Sequence, residues 1–219
     1  MSLRTRMDAL LTRAEQKVFA RLSTPQKIQD FLDQLPINFE IAGETYMSPR
    51  RVLREKTVHC FEAAVLGAAA LAYHGARPLL MDLKAIPRDD DHVITLFKQN
   101  GLWGALSKTN HAMLRYRDPI YRTPRELAMS YAHEYVMDSG RKSMRSYSAP
   151  FDLSKYALED WLTTEEDLVF VVNDLDASRH FPIAPEKIRR RMRKANAFEI
   201  QQLAGVEEWP EPKNYRDGK

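Results

Sequence analysis

The only cysteine of the chain, Cys60, stands in "VHCFEAAVLGAAALAYHG", at the head of an apolar stretch with helical character. A thiol does acyl chemistry as a thiolate. A helix N-terminus favours negative charge, because its first amides point outward without intrahelical partners. A cysteine at that place is set to ionise near neutral pH and to act as a nucleophile. It then needs an imidazole as ion-pair partner or general base. His92 is the candidate: it closes the acidic loop "KAIPRDDD" and opens the alternating stretch "HVITLF". A third group should hold that imidazole in one tautomer. Asp118, in "RYRDPIY", is the acidic candidate, and Asn110, in "SKTNH", is its amide rival.

Each residue also has an ordinary structural role open to it. A lone cysteine in an alanine-rich helix serves most often as a small buried hydrophobe. A histidine beside three aspartates is often a solvated loop residue, and Asp-Pro often marks a turn. What sets these residues apart is their order along the chain. A helix-borne cysteine is followed by a strand, then by a histidine opening a hairpin strand, then by Trp103 in the returning strand.

The elements that must position them are legible in outline. Leu3, Met7, Leu10, Leu11, Ala14, Val18 and Leu22 recur at helical spacing. "STPQKIQDFLDQLP" reads as a second helix with Thr24 as cap and Pro25 in its first turn. "NFEIAGETYM" is a connector, and "SPRRVLRE" opens another short helix. The Cys60 stretch is apolar nearly all round, the mark of a central helix, and Gly75 sits where a C-terminal cap belongs. "RPLLMDL", "HVITLF" and "LWGAL" read as strands, the last two joined by Asn100-Gly101, a strong hairpin signal. Thr123 and Pro124 open a further helix, expected to run towards Gly140. "LVFVV" suits either a strand or, behind "TTEE", a helix. "PEKIRRRMRKANAFEI" reads as a basic helix, and the tail "EEWPEPKNYRDGK" as extended and mobile.

From roughly Arg51 to Tyr121 this order resembles the transglutaminase-like superfamily of thiol enzymes. The matching stretches are "VHCFEAAVLGAAAL", "GARPLLMDL", "DDDHVITLF" and "NGLWGALSKT". The resemblance implies an α+β fold with a papain/transglutaminase-like core, in which a central helix packs on a small antiparallel sheet. Extra helices would flank it: a helical extension over residues 1–50, the core over 51–135 and a C-terminal extension over 136–219. It implies Cys60 as nucleophile and His92 as base, acting through a thioester on an amide, peptide or protein substrate, with no cofactor. The sequence departs from the family at the third position: counting from Trp103, the usual aspartate falls on Ser107. Asp118 is favoured over Asn110 for that role because its charge would stabilise an imidazolium. The alternative is an interaction domain on the same fold that has lost activity.

Composition is compatible with this. The 219 residues are 44% hydrophobic and 10% aromatic, which excludes a disordered or fibrous chain. A single cysteine can form no internal disulfide, so a reducing, cytoplasmic setting is expected. No stretch approaches the ~20 apolar residues of a membrane span. The six histidines lack zinc-ligand spacing, and "HEYVMD" lacks the second histidine of a zincin helix, so no metal is expected. The net charge of +3 is mild. "KIRRRMRK" could track phosphates, but Ile188, Met192 and Ala195 give it an apolar docking side, so nucleic acid is not the expected partner. Arg117, Tyr121 and Arg122 either bind an anionic group or, as the commoner case, pack their connector on the core.

Overall fold

A computed structural model describes residues 2–41 and 43–210. The fold is α+β, with ten helices and a seven-stranded antiparallel sheet among the described residues. The N-terminal apolar spacing resolves into two helices, α1 (Leu3–Leu10) and α2 (Arg13–Arg21). Thr12 divides them: its hydroxyl accepts from Glu15 N while the Glu15 carboxylate accepts from Thr12 N, a reciprocal cap that starts a new helix. Helices α3 (Pro25–Gln34) and α4 (Pro49–Glu55) each open on a hydroxyl cap, Thr24 or Ser48, followed by proline.

These helices pack around α5 (Cys60–Tyr73), in which every residue from Phe61 to Tyr73 is buried. The other side of α5 lies on the sheet, in close contact at Gly67. A Cβ added there would meet Thr95 Oγ1 at 2.7 Å, so glycine is what allows the contact. Thr95 Oγ1 in turn donates to the Ala64 carbonyl at 2.6 Å, tying sheet to helix.

The strands are β1 (Leu79–Lys84), β2 (His92–Gln99), β3 (Leu102–Leu106), β4 (Arg117–Tyr121), β5 (Ser146–Ser148), β6 (Phe151–Asp152) and β7 (His180–Pro182). Their order is β4-β3-β2-β1-β5-β7, with β6 also paired to β1. The β2–β3 hairpin turns at Asn100-Gly101, both at positive φ (51° and 83°), as a two-residue hairpin turn requires. Strands β5 and β7 come from beyond residue 136, so the C-terminal segment completes the sheet rather than merely flanking it. The face away from α5 is covered by a second cluster that includes Met81, Leu83, Ile94, Leu96, Leu127, Tyr131 and Tyr135.

Several elements differ from expectation. Helix α6 (Pro124–Met129) stops well short of Gly140, which instead occupies a turn with φ of 75°. After α7 (Leu158–Leu162), "LVFVV" supplies helix α8 (Val169–Asp176). The basic stretch is not one helix: α9 (Glu186–Arg189) ends early, and α10 (Ala197–Ala204) starts afresh at a cap made by Asn196 and Glu199. Close like charges disfavour a continuous helix through Arg189–Lys194. Of the tail expected to be mobile, Glu207 bridges to His111 and Glu208 N donates to the Asn110 carbonyl; residues 211–219 lie outside the described residues. Among the described residues, no helix is long and apolar enough to cross a membrane.

Candidate active site

Cys60 is the first residue of α5 and is half-buried. Its amide belongs to the first turn, where N–H groups have no intrahelical carbonyl to meet. The turn before it is fixed by a buried carboxylate. Glu62, fully buried, accepts from Thr45 Oγ1 at 2.7 Å, Met47 N at 3.1 Å and His59 N at 3.0 Å. This anchors the 45–47 connector to the start of the helix. His59 caps the same helix: its Nε2 lies 2.6 Å from the Thr45 carbonyl, and its Nδ1 accepts from Phe61 N at 3.3 Å.

His92 opens β2 and is buried. The preceding residue meets the thiol: Cys60 Sγ and the Asp91 carbonyl are 4.0 Å apart. His92 Nε2 is 2.6 Å from Ser107 Oγ, and the Ser107 hydroxyl donates to the Leu114 carbonyl at 2.8 Å. With its hydrogen committed to Leu114, Ser107 Oγ must accept from Nε2–H. The imidazole is thereby held in the Nε2–H tautomer, which leaves Nδ1 unprotonated and able to take a proton. Ser107 is itself gripped from the N-terminal helices. Gln29 of α3 accepts from Ser107 N at 3.0 Å and donates to Ser107 O at 2.8 Å. Tyr131, fully buried, packs its ring against His92, with centroids 6.5 Å apart.

The sequence-derived third candidates fall elsewhere. Asp118 is exposed on edge strand β4. Successive strand residues face opposite ways, so it is the neighbouring Arg117 that turns inward. Its guanidinium lies 4.1 Å over the Tyr131 ring and donates to Ser130 Oγ and to the carbonyls of Met113 and Ser130. That connector therefore packs on the core and, through Tyr131, backs His92. Asn110 Oδ1 accepts from Thr109 Oγ1, and its carbonyl holds Glu208 N. Ser107, read in the sequence as a place where an acid is missing, is the residue at Nε2. The spacing from Trp103 points to this same position, where the sequence has a hydroxyl in place of an acid. His59, Glu62 and Gln29 were not picked out. For the first two a signal existed: "HCFE" has the four-residue spacing of a reciprocal helix cap.

The electrostatics follow from this packing. Burial works against a thiolate at Cys60, but hydrogen bonding by His59 and His92 and their charges outweigh it, drawing the thiol down to about 6. Burial likewise opposes charge on His59. The Cys60 thiolate, the Glu62 carboxylate and the Thr45 carbonyl override it and raise His59 to about 9. The long Phe61 contact at Nδ1 yields when that nitrogen is protonated, and carboxylate oxygens of Glu40 and Glu62, each 3.6 Å from Nε2, favour the cation. Cys60 thus has two imidazoles at hand, one in the helix cap and one at the start of β2.

Near His92 in the chain, Asp91 joins Asp82 and Asp176 in bringing carboxylate oxygens within 4.8 Å of one another, a spacing that suits a cation. The Lys84 ammonium already stands among them, in contact with Asp176 and 3.6 Å from Asp91, and His180 Nε2 is 3.0 Å from Asp82. The chain matches no family model and no curated protein.

Proposed function

We propose that the protein is a transglutaminase-like thiol hydrolase or acyl transferase with a papain-like core, working through a thioester on an amide or peptide substrate. The observation that carries this reading is a half-buried cysteine at a helix start, its thiol 4.0 Å from the carbonyl of the residue before His92, whose imidazole Ser107 holds at Nε2. In the acylation step the Cys60 thiolate adds to the substrate carbonyl carbon. The developing oxyanion is met by the backbone amide of Cys60, the first of α5. His92 Nδ1–H gives its proton to the leaving amine as the C–N bond breaks. In deacylation His92 Nδ1 takes the proton of water or of an acceptor amine, which attacks the thioester and releases Cys60 as thiolate. The single cysteine suits a reducing compartment such as the cytoplasm, where the thiol stays available.

Incubation with p-nitrophenyl acetate tests this. A burst of nitrophenolate and an acetyl adduct on Cys60 by mass spectrometry are expected, both lost in Cys60→Ala. Wild-type hydrolysis equal to that of Cys60→Ala, with no adduct, would overturn it in favour of a non-catalytic interaction domain.

A further inference from the structure

Far along the chain from Cys60, a cavity of about 340 Å³ is lined by Arg141, Lys142, Arg145, Arg189, Arg190 and Lys194, with Glu186 and Met192. Six basic side chains face one acid there, leaving +5 in a chain whose total is +3, so the remainder of the chain carries −2. The single acid is already committed, because Glu186 is bound to Arg190. Among the described residues no carboxylate pairs with Arg141, Arg145, Arg189 or Lys194. Arg189 Nε is buried and has no hydrogen-bond partner. A buried donor left without a partner is unfavourable, and more so when it is charged.

The arrangement is built, not loose. Arg145 Nη1 is fixed on the carbonyls of Lys142 (2.9 Å) and Met144 (2.8 Å), which orients the rest of its guanidinium. The two walls are tied by Ala195 N donating to the Gly140 carbonyl at 2.8 Å. A Cβ at Gly140 would meet Ala195 O at 2.7 Å, and its φ of +75° favours glycine independently. Burial, then the nearby charges of Arg141 and Arg189, push the Arg145 pKa down, the sign of cations gathered without a counter-ion.

The geometry points to a binding site for a phosphorylated small molecule, with Arg145, Arg189 and Arg141 gripping a multiply charged phosphate group. Guanidinium forks match phosphate oxygens in pairs. The volume lies at the small end of ligand pockets and fits one compact polyanion rather than a length of nucleic-acid backbone.

Inorganic pyrophosphate is the probe, titrated calorimetrically into the full chain at near-physiological salt, with a single-stranded oligonucleotide in parallel. Micromolar binding of pyrophosphate is expected, weakened about tenfold or more in Arg189→Gln and in the exposed-site variant Arg141→Gln, whose unfolding midpoint stays near wild type. No pyrophosphate binding, or binding unchanged in both variants, would overturn the proposal. So would an oligonucleotide that binds more tightly than pyrophosphate and is lost in the same variants, since the site would then serve nucleic acid.

Discussion

A serine where an acid would be expected changes what the third residue can do for His92. Ser107 orients the imidazole through one neutral hydrogen bond but adds no negative charge to stabilise the imidazolium. Ser107→Ala removes an acceptor worth about 1 kcal/mol, so Cys60 alkylation at neutral pH should fall by up to about fivefold. Asp118→Asn and Asn110→Ala should leave the rate unchanged, and second-order rate constants with iodoacetamide compare all three. At this scale the sequence was half legible. Cys60 and His92 could be chosen because helix start, loop end and strand start all leave local marks. The third residue could not, because β4 alternation decides whether Arg117 or Asp118 faces inward, and residue type alone favoured the acidic, outward one. His59 went unread because its role depends on a connector, 45–47, with little pattern of its own.

Elements were legible where capping or turn chemistry was written locally. The hydroxyl-proline starts of α3, α4 and α6 and the Asn100-Gly101 turn are examples. Ends were harder: α6 stops at Met129, and the basic stretch breaks at Arg190–Asn196, where close like charges and the Ala195–Gly140 contact together outcompete helical propensity. The close approach of α5 to β2 also left only a glycine as its trace. Gly67→Ala presses a methyl group onto Thr95 Oγ1 and should destabilise the fold by about 1–3 kcal/mol. Urea unfolding reads this directly, and an unchanged midpoint would mean that α5 and β2 can separate without loss.

Across the whole molecule, the segments outside residues 51–135 take part in what they surround. Gln29 reaches from α3 to hold Ser107, and β7 brings His180 to Asp82 of β1. The hydrogen bond to Asp82 raises the His180 pKa in the folded state, against the opposing effect of burial. A raised histidine stabilises the fold fully below its unfolded value of about 6.5, and that contribution is lost as pH rises through the folded value. His180→Gln should therefore be less stable than wild type below about pH 6, with the gap narrowing as pH rises above neutrality. Urea unfolding at several pH values checks the sign; a gap that widens with pH would contradict it. Charge is also distributed at this scale, with the cationic excess gathered at the Arg141–Lys194 cavity, away in sequence from the thiol.

The most direct test of the central claim is the pH dependence of Cys60 alkylation by iodoacetamide in the native protein. The one cysteine makes the signal unambiguous. A rate that titrates near pH 6, and moves up towards the free-thiol value of about 8.5 in His92→Ala, is the predicted result. A rate that titrates at the free-thiol value, or a thiol that reacts only after denaturation, would contradict an activated nucleophile at the head of α5.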